Sequence, residues 1–443
     1  MPNILSLLTC LTFHIDNTTL KQLACIIQAM FAMTGRVTML GISRWAGKGG
    51  SYRTIQRFCY HPKNWPTLMW VFFRTHCFRS QESYAIAGDE VVTTKSGKHT
   101  YGVDWFFSSL TNAPVRGLAF FALSIVGLEK RQSYPLRIEQ IIKSSDESKI
   151  KIDSVPSPIK KRKRGRPKGS KNKDKTQYTL SNELFRIKGM LQALLSTIGE
   201  TISVKYLLLD GKFGHHNAAQ MTREIGLHLV SKLRHDSALY LPYQGENAKR
   251  KYGEKVNARQ LDPQFLKWSS TQADWCLKYY HLEVLHKEFA QRLNVVIILK
   301  NNDKTGEQAH VILFSTDLNL EGKKLVELYS LRFQIEFNFR DAKQYWGLED
   351  FMNRSQTAVT NMVNLGFFMV SCSQKIREQI RRNGRDDLSI LDLKALYRGV
   401  RYADELIKLL PQKPEAILIS QILNRVANIG AIHPLKVSNI TTS

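Results

Sequence analysis

Apolar and polar positions change period several times along the 443-residue chain, and each change marks a different kind of element. Up to about residue 80, stretches such as LKQLACIIQAMFAM space their apolar residues as helices do. RVTMLGISRWAGKGGSYRTIQRFCY then predicts two short helices around the turn Gly47, Lys48, Gly49 and Gly50. Three segments rich in β-branched and aromatic residues follow: SYAIAGDEVV, HTYGVDWFFSSL and GLAFFALSIVGL. With TTKSGK and TNAPVR as turns, they predict consecutive antiparallel strands. From about 145 to 178 the periodicity vanishes into IKKRKRGRPKGSKNKDK, a basic linker or loop. Beyond it come an amphipathic helix (SNELFRIKGMLQALLSTIG), a short buried strand ending in a turn (VKYLLLDGKFG), a helix (NAAQMTREIG) and a strand (LHLVSKL). This succession predicts an α/β fold built on a mixed sheet. Residues 240–315, with WCLKYYHLEVL and RLNVVIILK, read as a β-rich insertion. A long helix starts near Leu320, and the rest of the chain is helical in pattern. The expected units are a helical region 1–80, an α/β region 81–350 carrying the linker 145–178 and the insertion 240–315, and a helical region 351–443.

Charge narrows what such a fold is for. The chain has 64 Lys plus Arg against 38 Asp plus Glu, a formal +26, while its 43% hydrophobic content is ordinary for a globular protein. A polyanion is the natural partner, because basic surface displaces the counterions of a phosphate backbone. The six cysteines are scattered with no C-x-x-C pair and no zinc-finger spacing. They predict reduced core thiols of a cytosolic protein. The opening MPNILSLLTCLTFHIDN lacks a basic leader, and the apolar stretch Met362–Cys372 is too short to span a bilayer, so no membrane partner is expected.

Three carboxylates stand out by position. Asp89 lies in the first strand, Asp210 closes a later strand where the chain turns at Gly211, and Glu336 sits mid-helix. Strand ends and a helix from separate parts of a chain can converge on one cleft. Converging acids repel one another and are justified by divalent cations, which can promote phosphoryl displacement. Glu90 is next to Asp89, but neighbouring strand residues point to opposite faces, and Asp89 is the one expected in the cleft. Asp104 is a weaker competitor. On a helical wheel Tyr329, Arg332, Glu336 and Lys343 share a stripe about 60° wide. Leu328, Leu331, Ile335, Phe339 and Ala342 form a separate apolar stripe that would seat the helix on the sheet. Glu336 could then ligate a metal, Arg332 and Lys343 contact phosphate, and Tyr329 donate a hydroxyl or stack. The plainer alternative is a surface helix with an Arg332–Glu336 pair at i, i+4 spacing.

The spacing Tyr329, two residues, Arg332, three residues, Glu336, six residues, Lys343 resembles the Y-R-E-K signature of IS-four-type insertion-sequence transposases within the DDE superfamily. Asp89 in AIAGDEVV and Asp210 in YLLLDGKFG resemble the first two acids of that family's triad, in the same chain order. The resemblance implies an RNase H-like core and two Mg²⁺ ions, with Mn²⁺ as a substitute, held by Asp89, Asp210 and Glu336. It also implies metal-dependent strand cleavage followed by strand transfer. Double-stranded DNA would be the partner, as terminal inverted repeats and target, bound by a homodimer in a synaptic complex at the bacterial nucleoid. Region 81–350 would be the catalytic domain; the residues of region 1–80 themselves predict either a DNA-binding domain with a helix-turn-helix, with Arg44, Lys48, Arg53 and Arg57 outward, or a plain helical bundle. In related enzymes a Trp of the insertion handles a flipped base; Trp268 and Trp275 are both candidates here. RKRGRP resembles an AT-hook; whether as a minor-groove hook or as a nonspecific phosphate-binding loop, it would place Arg162, Arg164, Arg166 and Lys168 on DNA. Two other functions fit the same residues: a catalytically inactive DNA-binding repressor or architectural protein of transposase descent, and a structure-specific nuclease.

Overall fold

The computed structural model describes residues 3–108, 111–143, 178–247, 249–381, 388–412 and 414–433. The basic segment with Arg162, Arg164, Arg166 and Lys168 lies outside them.

Five helices open the chain: α1 (Ile4–Leu8), α2 (Asn17–Ala32), α3 (Met39–Trp45), α4 (Tyr52–Tyr60) and α5 (Trp65–His76). Each begins on a short polar residue, in turn Asn3, Asp16, Thr38, Ser51 and Asn64, whose side chain accepts a backbone N–H of the first turn. Such caps satisfy donors that have no partner inside the helix.

The strands β1 (Tyr84–Thr94), β2 (Asp104–Ser108), β3 (Ala113–Gly127) and β4 (Gln132–Ile141) follow, then α6 (Asn182–Ile198), β5 (Val204–Leu208), α7 (His216–Glu224) and β6 (His228–Leu233). Next come β7 (Leu239–Pro242), β8 (Tyr252–Lys255), β9 (Leu266–Gln272), β10 (Trp275–His286), β11 (Leu293–Asn302) and β12 (Gln308–Ser315). The helices α8 (Gly322–Arg332), α9 (Gln334–Tyr345), α10 (Gln356–Arg381), α11 (Ile390–Lys408) and α12 (Ala416–Val426) complete the order.

The core of the sheet runs β4-β3-β1-β5-β6, with β3 antiparallel to its neighbours and β5 and β6 parallel to β1. That is the strand order of an RNase H-like fold. β2 shares the outer edge of β3 with β4, and the β-rich insertion extends the same sheet through β12, β11 and β10. Central position explains composition, since β1 and β3 are buried on both faces and read as near-continuous apolar runs rather than alternating ones.

Two sequence expectations change. The first strands number four rather than three, because β4 pairs along β3 from Gly127↔Gln132 to Ala119↔Ile141. The helix expected from Leu320 is two: α8 ends at Arg332, Phe333 forms a one-residue turn, and α9 resumes at Gln334. α8 packs across β12, β11, β6, β5 and β1, and α9 continues over β1 and β4. Leu328, Leu331, Ile335, Phe339 and Ala342 are all buried, so the apolar stripe seats both halves.

The terminal helical regions are stitched together by cations that cap helix ends. Lys394 Nζ donates to Met30 O at 2.9 Å and Arg398 Nε to Ala32 O at 3.1 Å, at the C-terminus of α2. Lys375 Nζ does the same for His76 O of α5 at 2.6 Å. Positive charge complements the negative end of a helix dipole. The six cysteines are free thiols. Among the described residues no helix is long and apolar enough to cross a membrane.

Candidate active site

Strand register sets the first two acids side by side. Ala87 of β1 pairs with Leu208 of parallel β5, so two residues further on Asp89 and Asp210 reach the same level of the sheet. The turn after β5 fixes Asp210: its Oδ1 accepts from Lys212 N at 3.2 Å, and its carbonyl accepts from Ser231 Oγ at 2.7 Å. Gly214 closes that turn against β6, where a Cβ would sit 2.0 Å from Lys232 O. Only glycine allows the approach.

Arg332 brings the third acid to the first. Its Nη1 donates to Asp89 Oδ2 at 2.9 Å and its Nη2 to Glu336 Oε1 at 2.9 Å. The guanidinium is largely buried, at 14% side-chain exposure, against 20% for Asp89 and 38% for Glu336. Burial pushes the Asp89 carboxyl up to about 6, with negative Asp210 and Glu336 nearby adding to the rise, and Arg332 and the Glu90 N–H opposing it. The Tyr329 ring lies 5.9 Å from the Arg332 guanidinium, and burial raises its hydroxyl above the usual phenol range. Arg332 Nε is buried with no hydrogen-bond partner.

Of the residues picked from sequence, Asp89, Asp210, Arg332, Glu336 and Lys343 line one open cleft of about 970 Å³. Lys343 is already engaged, donating from Nζ to Val92 O at 2.7 Å and pairing with Glu349 at 3.1 Å. Contrary to the alternation expected of neighbouring strand residues, Glu90 lines the same cleft as Asp89, where it pairs with Lys212 at 3.5 Å; Lys212 also holds Glu183 at 2.6 Å. Asp104 opens β2 and accepts the Trp105 N–H at 2.6 Å. Two cleft cations escaped the sequence reading. Lys212 and Arg340 both line the cleft, and adjacency to Asp210 and Lys343 was the one signal that pointed to them.

The other candidates lie elsewhere. Trp268 stacks on Tyr279 with centroids 4.6 Å apart, and Trp275 starts β10; both pack against the core. Arg44, Lys48, Arg53 and Arg57 are exposed on and between α3 and α4.

The donors suit a hard divalent ion in kind: carboxylate oxygens at the edge of a cleft that leaves room for water and substrate oxygens. Their arrangement is not yet a cage. Among the described residues no group of three or more His, Cys, Asp or Glu side chains is gathered closely enough to hold a metal ion. A guanidinium stands between Asp89 and Glu336 and supplies the positive charge the acids require.

An RNase H-like sheet with Asp89 in mid-β1 and Asp210 just past the end of β5, faced by the last residue of α8, Arg332, and by Glu336 of α9, is a frame that can serve a nuclease or polynucleotide transferase. The chain matches the family described as DDE superfamily endonuclease over residues 6–282, more than half its length, and belongs to that family. The matched span holds Asp89 and Asp210 and ends before Glu336. No curated protein matches the sequence.

Proposed function

We propose that the protein is a cut-and-paste transposase of the IS-four type, with Asp89, Asp210 and Glu336 as its acid triad. The observation that carries this reading is the meeting of three distant chain segments at one cleft. Asp89 and Asp210 are level on neighbouring strands, and Glu336 is linked to Asp89 through Arg332. The spacing of Tyr329, Arg332, Glu336 and Lys343 supports the finer assignment.

In this reading the three carboxylates hold Mg²⁺, or Mn²⁺ in its place. Bound divalent ions would activate the attacking oxygen and stabilise the leaving one in phosphodiester displacement. Arg332, Lys343, Lys212 and Arg340 would anchor phosphates along the cleft, and the Tyr329 hydroxyl would donate to one. Region 1–80 would bind duplex DNA through Arg44, Lys48, Arg53 and Arg57, while Arg162, Arg164, Arg166 and Lys168 would follow the minor groove. Two copies would pair the transposon ends at the nucleoid.

The test is the DNA that the enzyme prefers. Incubated with Mg²⁺ or Mn²⁺, it should cut at the terminal repeats flanking its own gene and join the freed 3′ ends to target DNA. Equal cutting of branched DNA regardless of sequence would indicate a structure-specific nuclease. Tight binding to the repeats without nicking in any metal would indicate a repressor.

A further inference from the structure

We infer that Arg332 is a counter-ion lock: it occupies the acid cleft in DNA-free protein, and a DNA phosphate draws it away, so that metal loading and DNA binding are coupled. The inference rests on the metal site proposed above and concerns the order in which that site fills.

Three observations meet on this side chain. First, its two terminal nitrogens are spent on two of the three acids, each at 2.9 Å, so the guanidinium bridges the space between Asp89 and Glu336. A cation ligated by both carboxylates would need that space and those same lone pairs. Second, Arg332 and Asp89 are mostly buried, at 14% and 20% side-chain exposure, while Glu336 is 38% exposed, so a phosphate acceptor can compete for the guanidinium from the Glu336 side. Third, Nε is buried without a partner. A guanidinium offers five donors in a planar fork, and a phosphate oxygen entering the cleft can satisfy the one left over while competing for the others.

The surroundings give the released guanidinium somewhere to go. The cleft is open, and Lys343, Arg340 and Lys212 on its walls would hold a phosphate backbone within it. The Tyr329 ring, 5.9 Å from the guanidinium carbon, makes a contact that a swing of the side chain would give up. A swing exposes Asp89 and Glu336 together, with Asp210 alongside, and the repulsion among them then favours a divalent ion. Protein without DNA would hold metal weakly and be protected from futile hydrolysis.

Mn²⁺ binding to the DNA-free full-length protein, followed through the paramagnetic resonance of the free ion, tests this without any turnover. Arg332→Gln should bind Mn²⁺ about tenfold tighter than wild type, the usual size of coupling between linked sites. Arg332→Lys, whose ammonium cannot span both carboxylates, should fall between them and serves as the test if the glutamine variant does not fold. In the wild type, Ca²⁺ should tighten binding of a short duplex, read by fluorescence anisotropy, by a similar factor, and in Arg332→Gln that tightening should disappear. If both variants bind Mn²⁺ no tighter than wild type, the lock is wrong while the metal site stands. If no form binds Mn²⁺ with or without DNA, the metal site itself is wrong and the lock falls with it.

Discussion

Asp392 shows how completely a single side chain can be committed. It closes a capping box with Ser389 at the start of α11 through Oδ2, and its Oδ1 accepts the backbone N–H groups of both Ile432 at 2.6 Å and His433 at 3.1 Å. His433 Nδ1 lies 2.8 Å from Oδ2. Burial opposes the charged form, but the hydrogen bonds from His433 and Ser389 outweigh it and hold the carboxyl below its usual range. Asp392→Ala should therefore cost about 1–3 kcal/mol, the loss of a cap together with donors left unsatisfied. The sign with pH follows from the lowered folded value. The charged carboxylate contributes fully above its unfolded value of about 3.9, and the contribution is lost as pH falls below it. Thermal melts of wild type and Asp392→Asn should differ most near neutrality and converge in acid. Lys394 works in the opposite sense. Burial lowers it to about 8, so its folding penalty is present below that value and relieved as pH rises toward the unfolded value of about 10.4. Replacement by Met should remove that rise in stability above pH 8 in melts across the range.

Among the elements, the turn after β5 carries the most function for its length. Gly214→Ala would place a methyl 2.0 Å from the Lys232 carbonyl, a backbone atom that cannot step aside without moving β6. The variant should lose about 1–3 kcal/mol of stability, as overpacked sites do, and should cut DNA at least several-fold more slowly because Asp210 moves with the turn. Normal cleavage by a folded Gly214→Ala protein would show that this turn does not position the acid. The same elements show what the sequence disclosed. β1, β3, β5 and α6 were legible because β1 and β3 carry apolar runs buried on both faces, β5 ends on the buried pair Leu207 and Leu208, and α6 keeps a helical period. β4 was not, because it carries Pro135, Arg137 and Glu139, which suit an edge; the proline sits where the register with β3 shifts between Leu123 and Ser124. The break at Phe333 was hidden for a different reason. Its φ of −59° and ψ of −18° stay close to helical, so the apolar period runs through it with no Gly or Pro to mark it. The i, i+4 pairing of Arg332 with Glu336 could be read from spacing, whereas the contact of Arg332 with Asp89, 243 residues away, exists only in three dimensions.

For the whole molecule, a formal +26 makes affinity for DNA a function of salt before it is a function of sequence. The exposed set Arg44, Lys48, Arg53 and Arg57 should contribute to this directly. Replacing any one by Gln should reduce the slope of log affinity against log salt by about 0.9 if it neutralises a phosphate, and leave it unchanged if it does not. The central claim, however, concerns cleavage, and Glu336 is its most exposed point because it lies beyond the span that matches the family. The direct measurement is metal-dependent nicking of terminal-repeat DNA by wild type, Asp210→Ala and Glu336→Ala, with binding of the same DNA measured in parallel. Both variants should bind the DNA and fail to cut it; cutting at the wild-type rate by either one would contradict the triad.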